Sequence, residues 1–289
     1  MSKLQLHFKT IIYSLTNTVV DSSHISQYFN ELSNNYNKQY FNNITSSSTP
    51  MLDEIIYKLQ STPKDNLNIL DIGCGTGFNS NYLYSKLKTG TYTLVDISEG
   101  MLLYAKKLCN FNCSFIENDM LDYLKSCSTD SMDIIVCSYA ISYHLPKEII
   151  KECSRVLKNG GFLGVIDNLK RTLPEINKLC SKLIVNNSHL LNKPIIKLNY
   201  SSNEYFFEKM FVDNRFNRIN LKSDHTVINF DNKASLCYFL CSSGILTPLD
   251  FSINLEDYEA KLMVSNLLDT YNINSLTHKY IWGTFRNDK

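Results

Sequence analysis

Leu67-Asn68-Ile69-Leu70-Asp71-Ile72-Gly73-Cys74-Gly75-Thr76-Gly77 decides the fold. A short apolar run passes through a carboxylate straight into three glycines at alternate positions. Helical periodicity then resumes over Asn79–Leu87. That order predicts a strand, a tight turn and a helix. Glycine suits the turn because it adopts positive φ freely and lets a ligand approach the backbone closely.

Two familiar loops are excluded. The dinucleotide fingerprint needs a glycine at position 78, where Phe78 stands, and a P-loop needs a Gly-Lys-Ser/Thr that does not follow. Asp71, two residues before the first glycine, would repel a pyrophosphate and attract an ammonium or sulfonium group.

Outward from the loop, short apolar runs alternate with amphipathic stretches. The later runs are Tyr92–Asp96, Ser114–Ile116, Met132–Cys137 and Phe162–Asp167, and helical periodicity fills Gly100–Leu108 and Pro146–Leu157. In the last stretch Ile149, Ile150, Cys153, Val156 and Leu157 share one face, Pro146 fits the first turn, and Asn159-Gly160-Gly161 is the expected stop. The alternation predicts a parallel sheet covered on both faces, with right-handed crossovers and a ligand at the carboxyl ends of the strands.

Two more carboxylates fall at such ends. Asp96 suits the hydrogen bonds of a ribose diol, and Asp119 suits an adenine amino group. A cationic amino acid, a ribose and an adenine in sequence describe S-adenosylmethionine. Each acid also has a plainer reading: Asp71 capping the following turn, Asp96 capping a helix near Ser98, Asp119 serving as a turn residue.

The chain resembles the class I S-adenosylmethionine-dependent methyltransferases of the small-molecule type. The resemblance rests on Leu67–Gly77, Val95–Ala105, Asn118-Asp119-Met120, Met132–Leu145 and Arg155–Gly161, and covers residues 65–168 in order. It implies a doubly wound α/β fold whose seven-stranded, mostly parallel sheet has the order 3-2-1-4-5-7-6, with strand 7 antiparallel. It implies that Gly73, Gly75 and Gly77 wrap the methionine part and that Asp71 holds its ammonium, directly or through water. Asp96 would bind the ribose, Ile97 and Met101 would flank the cofactor, Asp119 and the Met120 amide would read the adenine, and the backbone at Cys137 would line the methionine side. Tyr28 and Tyr36, in a Y-F-x-x-L-x-x-x-Y stretch, match a lid helix over the cofactor; a simple core stripe is the alternative.

Cys137-Ser138-Tyr139-Ala140 replaces the N-P-P-Y motif of enzymes that methylate amino groups of bases and of glutamine. His144, after the fourth strand, is a candidate general base or else a turn cap before Pro146. Tyr139 and Tyr143 are candidates beside it, or aromatic wall residues. Lys147, Lys151 and Arg155 form a stripe, but Glu148 and Glu152 interleave, which reads as a solvated face. The reaction expected is methyl transfer to an oxygen or nitrogen of a small molecule. A cofactor-binding regulatory module without activity, and a protein or RNA methyltransferase, remain open.

Composition agrees. Over 289 residues, 29 Lys and Arg face 28 Asp and Glu, giving a net charge of +1 and no footprint for nucleic acid or an anionic membrane. The nine cysteines form no C-x-x-C, so free thiols in a reducing cytoplasm are expected rather than a metal site. No apolar run reaches membrane-spanning length, and no export signal is read at the N-terminus.

One domain is expected: residues 1–64 as a helical lid, 65–170 as the cofactor-binding core, and 171–289 as substrate-binding insertions plus the last two strands. Helices are read from Ser23 to Gln60 with a break at 45–50, and over Leu173–Leu191, Lys233–Leu240 and Leu255–Leu268. A sixth strand is read over Phe216–Phe230 and a seventh, at the edge, over Lys279–Phe285. The Tyr/Phe-rich insertions, including Tyr200, Tyr205, Phe206, Phe207, Phe211, Tyr238 and Phe239, suit an apolar substrate pocket.

Overall fold

The computed structural model describes residues 22–39, 41–60, 66–177, 198–243, 245–246, 253, 255 and 257–289. Two compact units make up the chain: residues 42–171, 199–225 and 279–289 form one, and 1–41, 172–198 and 226–278 form the other.

The first unit contains most of the sheet. Strands β1 (Asn68–Ile72), β2 (Thr91–Asp96), β3 (Cys113–Glu117), β4 (Met132–Ser138), β5 (Leu157–Asn168), β6 (Phe216–Asn229) and β7 (Ser275–Asn287) lie in the order β3-β2-β1-β4-β5-β7-β6. β1 pairs in parallel with β2 and β4, as do β2 with β3 and β4 with β5. β7 runs antiparallel to β5, with Trp282 opposite Ile166. The order matches the expectation, but β6 rather than β7 stands at the edge.

Alternate residues of the inner strands serve opposite faces, as the pleat requires. Ile69, Leu94, Ile134 and Val136 pack on one side with Met51, Leu52 and Ile55 of helix α2 (Phe41–Gln60), Leu83 of α3 (Phe78–Leu87) and Ala105 of α4 (Glu99–Leu108). Leu70, Val95, Ile135 and Cys137 pack on the other. They meet Leu124 of α5 (Met120–Ser126), Ile149, Ile150 and Cys153 of α6 (Pro146–Val156), and Phe207 and Phe211 of α7 (Glu204–Val212).

Several boundaries differ from the sequence reading. α2 is continuous through Pro50 instead of breaking there, and its Met51, Leu52 and Ile55 are fully buried on the sheet. Asn159-Gly160-Gly161 lies within β5, which starts directly after α6. α5 and α7 are too short for periodicity to announce them. Burial fixes α7: Phe211 stacks on Phe285 at 3.9 Å and Phe207 packs beside it, so these two rings build the core and not a substrate pocket. Tyr205 and Phe206 are exposed on the same helix.

In the second unit, helices α1 (Ser22–Gln39), α8 (Lys233–Ser242) and α9 (Tyr258–Tyr271) are described. α8 and α9 pack through Leu236, Leu240, Val264 and Leu268, and Lys233 pairs with Asp269 at 2.8 Å. Asn232 and Asp257 cap the two helices through their side chains. Most of Leu173–Leu191 lies outside the described residues. No described helix is long and apolar enough to cross a membrane.

Candidate cofactor and substrate site

The loop after β1 turns on its glycines. Gly73, Gly75 and Gly77 all have positive φ, at 62°, 53° and 84°. A Cβ on Gly73 would stand 2.4 Å from the Cβ of Ala140, whereas a Cβ on Gly75 would meet nothing within 4 Å. Gly73 is thus closed by protein, and Gly75 opens onto space. Ala140 reaches the loop because Tyr139, just past β4, adopts a positive φ of 57°, rare for an aromatic residue. The Tyr139 amide donates to the Ile166 carbonyl, and its hydroxyl lies 2.6 Å from that of Ser47.

Asp96 ties β2 to this loop. Its carboxylate accepts from the Gly75 amide at 2.7 Å and the Ser98 amide at 2.9 Å. Burial raises it to about 6 despite these bonds, and its rim stays partly accessible. Ser98, not Asp96, caps α4, accepting from the Met101 amide. Met101 is buried and Ile97 half-exposed.

Asp71 sits deeper and is fully buried. It accepts from the Asn79 side chain at 3.3 Å and from the Ser80 amide and hydroxyl at 3.2 and 2.8 Å. Asn79 in turn accepts from the Ser138 hydroxyl at 3.2 Å. Asp71 is thus linked through Asn79, which no motif pointed to, to Ser138 at the end of β4. Burial raises Asp71 to about 6, and Asp96 adds to the effect.

Asp119 caps α5, accepting from Leu121 and Asp122 amides, and its other oxygen lies 3.1 Å from Nε2 of His144. Burial alone would raise this carboxyl, but the His144 bond and charge and the two amides outweigh it and hold it low. Residues read separately from sequence are thus one pair. Met120 is buried with its methyl against Gly73. The Cys137 thiol is buried in the core, pushed up by burial and by Asp167 and Asp71 on the neighbouring strands, so only its backbone is available to a ligand.

Tyr143 ends a short 3₁₀ turn, Ile141–Tyr143, and is half-buried. Tyr28 belongs to the second unit, edge-on to Phe29 at 5.3 Å; the side chain of Tyr36 lies outside the described residues. Arg155 does not extend a solvated stripe. Its guanidinium donates to the Leu124 and Cys127 carbonyls and to Glu152, clamping the end of α5. Eight cysteines are described, all free, and among the described residues no group of three or more His, Cys, Asp or Glu is placed to hold a metal.

The strand order, with the glycine loop after β1 and carboxylates at the ends of β1 and β2, is that of the Rossmann-like methyltransferase fold. Residues 69–161 match the family model described as a methyltransferase domain. The chain is 31% identical over 158 residues to a malonyl-[acyl-carrier protein] O-methyltransferase of Neorickettsia risticii, covering 52% of this chain and 57% of that protein. It is 31% identical over 114 residues to ribosomal RNA large subunit methyltransferase G of Pseudoalteromonas translucida, covering 35% and 29%. Each of these matches spans less than two thirds of the relative's own length. The fold is that of the YcgJ protein from Bacillus subtilis, with a TM-score of 0.55 at 17% identity over 83% of this chain and 99% of that one.

S-adenosylmethionine is the cofactor that a methyltransferase domain implies, and the residues fit it. Gly75 offers backbone with open space where a side chain would stand, and Asp96 presents a partly accessible carboxylate beside it. Asp71, fully buried with no ion pair among the described residues, favours a ligand carrying positive charge.

Proposed function

We propose that this chain transfers a methyl group from S-adenosylmethionine to an oxygen or nitrogen of a small molecule. The observation that carries the reading is the union of Gly75 and Asp96: an open glycine turn bonded to an acid at the end of the next strand. In this reading Asp96 takes the ribose hydroxyls, and Gly73, Gly75 and Gly77 follow the methionine part. Asp71 supplies negative charge through Asn79 and Ser138. Ile97, Met101 and the Met120 amide border the adenine. Tyr28 and Tyr36 remain proposed lid residues, residues 65–170 the cofactor-binding core, and residues 171–289 the source of substrate contacts.

Methyl transfer is an in-line displacement at the sulfonium carbon, so alignment dominates, and a hydroxyl or ammonium acceptor must also lose a proton. His144 suits that task. Asp119 engages Nε2, which leaves Nδ1 as the proton acceptor, in the way a carboxylate orients a catalytic imidazole. Tyr139 and Tyr143 flank the same turn. The near-neutral charge and the absent N-P-P-Y motif favour a small acceptor over nucleic acid. Free cysteines suit a reducing compartment, and we place the protein in the cytoplasm.

Calorimetry with S-adenosylmethionine tests the first half: binding is expected, with a loss of tenfold or more in Asp96→Ala, and a silent parent protein refutes the reading. Labelled methyl donor with fractionated cell extract tests the second. Label should enter small molecules; label in RNA or protein overturns that choice.

A further inference from the structure

A third buried carboxylate ends a strand, and the cofactor reading leaves it unused. Asp167, near the end of β5, is 4% exposed. Among the described residues it has no Lys, Arg or His partner, in contrast to Asp133, which pairs with Lys158 at 2.6 Å. It accepts from the amide of the next residue, Asn168, at 2.7 Å. A carboxylate buried without a cation is costly, and proteins keep one where a ligand supplies the charge or where it changes protonation. Burial pushes Asp167 up to about 7, the highest of the three uncompensated acids.

Polar and aromatic side chains surround it. Ser142 lies 1% exposed on the 3₁₀ turn after β4, close enough for its amide and hydroxyl to pull Asp167 down. Yet the hydroxyl closes no hydrogen bond of normal geometry and stays an unsatisfied buried group. Half-buried aromatic rings complete the cluster. The Tyr200 hydroxyl accepts from the Asn168 side chain at 3.3 Å, and Tyr200 feels both Tyr143 and the Asp167 charge. The segment is held in place by Asn199, whose amide donates to the Ser142 carbonyl and whose side chain donates to that of His144. A buried acid among tyrosines is chemistry suited to an organic ammonium, which a carboxylate attracts by charge and aromatic rings by their π-systems.

We propose that Asp167, with Ser142, Tyr143, Asn168 and Tyr200, forms an ammonium-binding subsite at the carboxyl ends of β4 and β5, so that the methyl acceptor carries an amine. The acid anchors the acceptor, and the atom that receives the methyl group stands elsewhere on the same molecule, toward His144. The proposal rests on the methyltransferase reading for its role, but binding itself is measurable apart from it.

The test uses the full chain, with and without S-adenosylhomocysteine, and three probes of one shape: 2-phenylethylamine, 2-phenylethanol and 3-phenylpropionate. Ligand-observed NMR and calorimetry should show the amine bound at least tenfold more tightly than the alcohol, and the carboxylate not at all. Asp167→Asn should lose that preference while still binding S-adenosylhomocysteine, and Tyr200→Leu should weaken the amine alone. Equal binding of amine and alcohol by the parent overturns the proposal without need of any variant, so a misfolded Asp167→Asn leaves it decidable. Undiminished amine binding by folded Asp167→Asn overturns it too. Failure to bind S-adenosylhomocysteine, with amine selectivity intact, would strike the methyltransferase reading instead.

Discussion

Gly73→Ala and Gly75→Ala make the same chemical change two residues apart and should fail in different ways. Both positions have positive φ, where an alanine costs about 1–2 kcal/mol, offset by about 0.4–1 kcal/mol from the stiffer unfolded chain. Gly75→Ala should therefore lose only ~1 kcal/mol of stability. Gly73→Ala adds a clash, because its new Cβ would stand 2.4 Å from the Ala140 Cβ where ordinary contact begins at 3.4 Å. Neither methyl can rotate away, so the loop and the turn after β4 must part, at an overpacking cost of about 1–3 kcal/mol. The total for Gly73→Ala is about 2–4 kcal/mol. Urea unfolding followed by Trp282, the single tryptophan and 5% exposed, reads this unit directly. Calorimetry with S-adenosylhomocysteine reads the complement: Gly75→Ala should bind at least ~10-fold more weakly, since its methyl enters open space reserved for a ligand. Equal stability losses in the two variants, or unchanged affinity in Gly75→Ala, would refute the assignment of one glycine to packing and the other to the ligand.

Cofactor affinity should fall as pH drops through about 6, where Asp96 takes up a proton and can no longer accept from both ribose hydroxyls. The sign follows from the charged form being the binding form, with a limiting slope of tenfold per pH unit per group. Calorimetry from pH 5 to 8 checks it; Asp96→Asn should make the curve shallower, leaving the part that Asp71 contributes, and rising affinity at low pH would contradict it. Arg155→Lys keeps the charge but loses the forked contacts to Leu124 and Cys127 carbonyls, so a stability loss of about 1–3 kcal/mol is expected in urea unfolding. Parent-like stability in that variant would mean the clamp is ornamental.

The sheet was readable because its information is local. Each inner strand is a short apolar run bounded by turn residues, and Asp71-Ile72-Gly73 fixes where the first one ends. The parts that were not readable depend on contacts distant in sequence. Nothing local announces α7, whose Phe207 and Phe211 are placed by Phe285. Residues around Pro50 read as a break because proline and a serine run usually are one; burial of Met51 and Leu52 on the sheet keeps the helix continuous. In the site, the acids were visible but not their bonds: Asp119 with His144, and Asp71 with Asn79 and Ser80, meet only after folding. Asp167 was in plain view. It closes the fifth run as Asp96 closes the second, and only its burial without a counter-charge marks it out.

The position of β7 has a consequence for how the chain is made. It follows every other strand in sequence yet lies between β5 and β6. Until Ser275–Asn287 has left the ribosome, β5 presents an open edge of unpaired amides and carbonyls, and β6 has no neighbour to join. Between the emergence of β6 and that of β7 the nascent chain thus carries a sticky gap in its sheet, of the kind that invites pairing between molecules. Keeping that gap protected until the closing strand arrives is a demand that falls on the cell rather than on the finished fold.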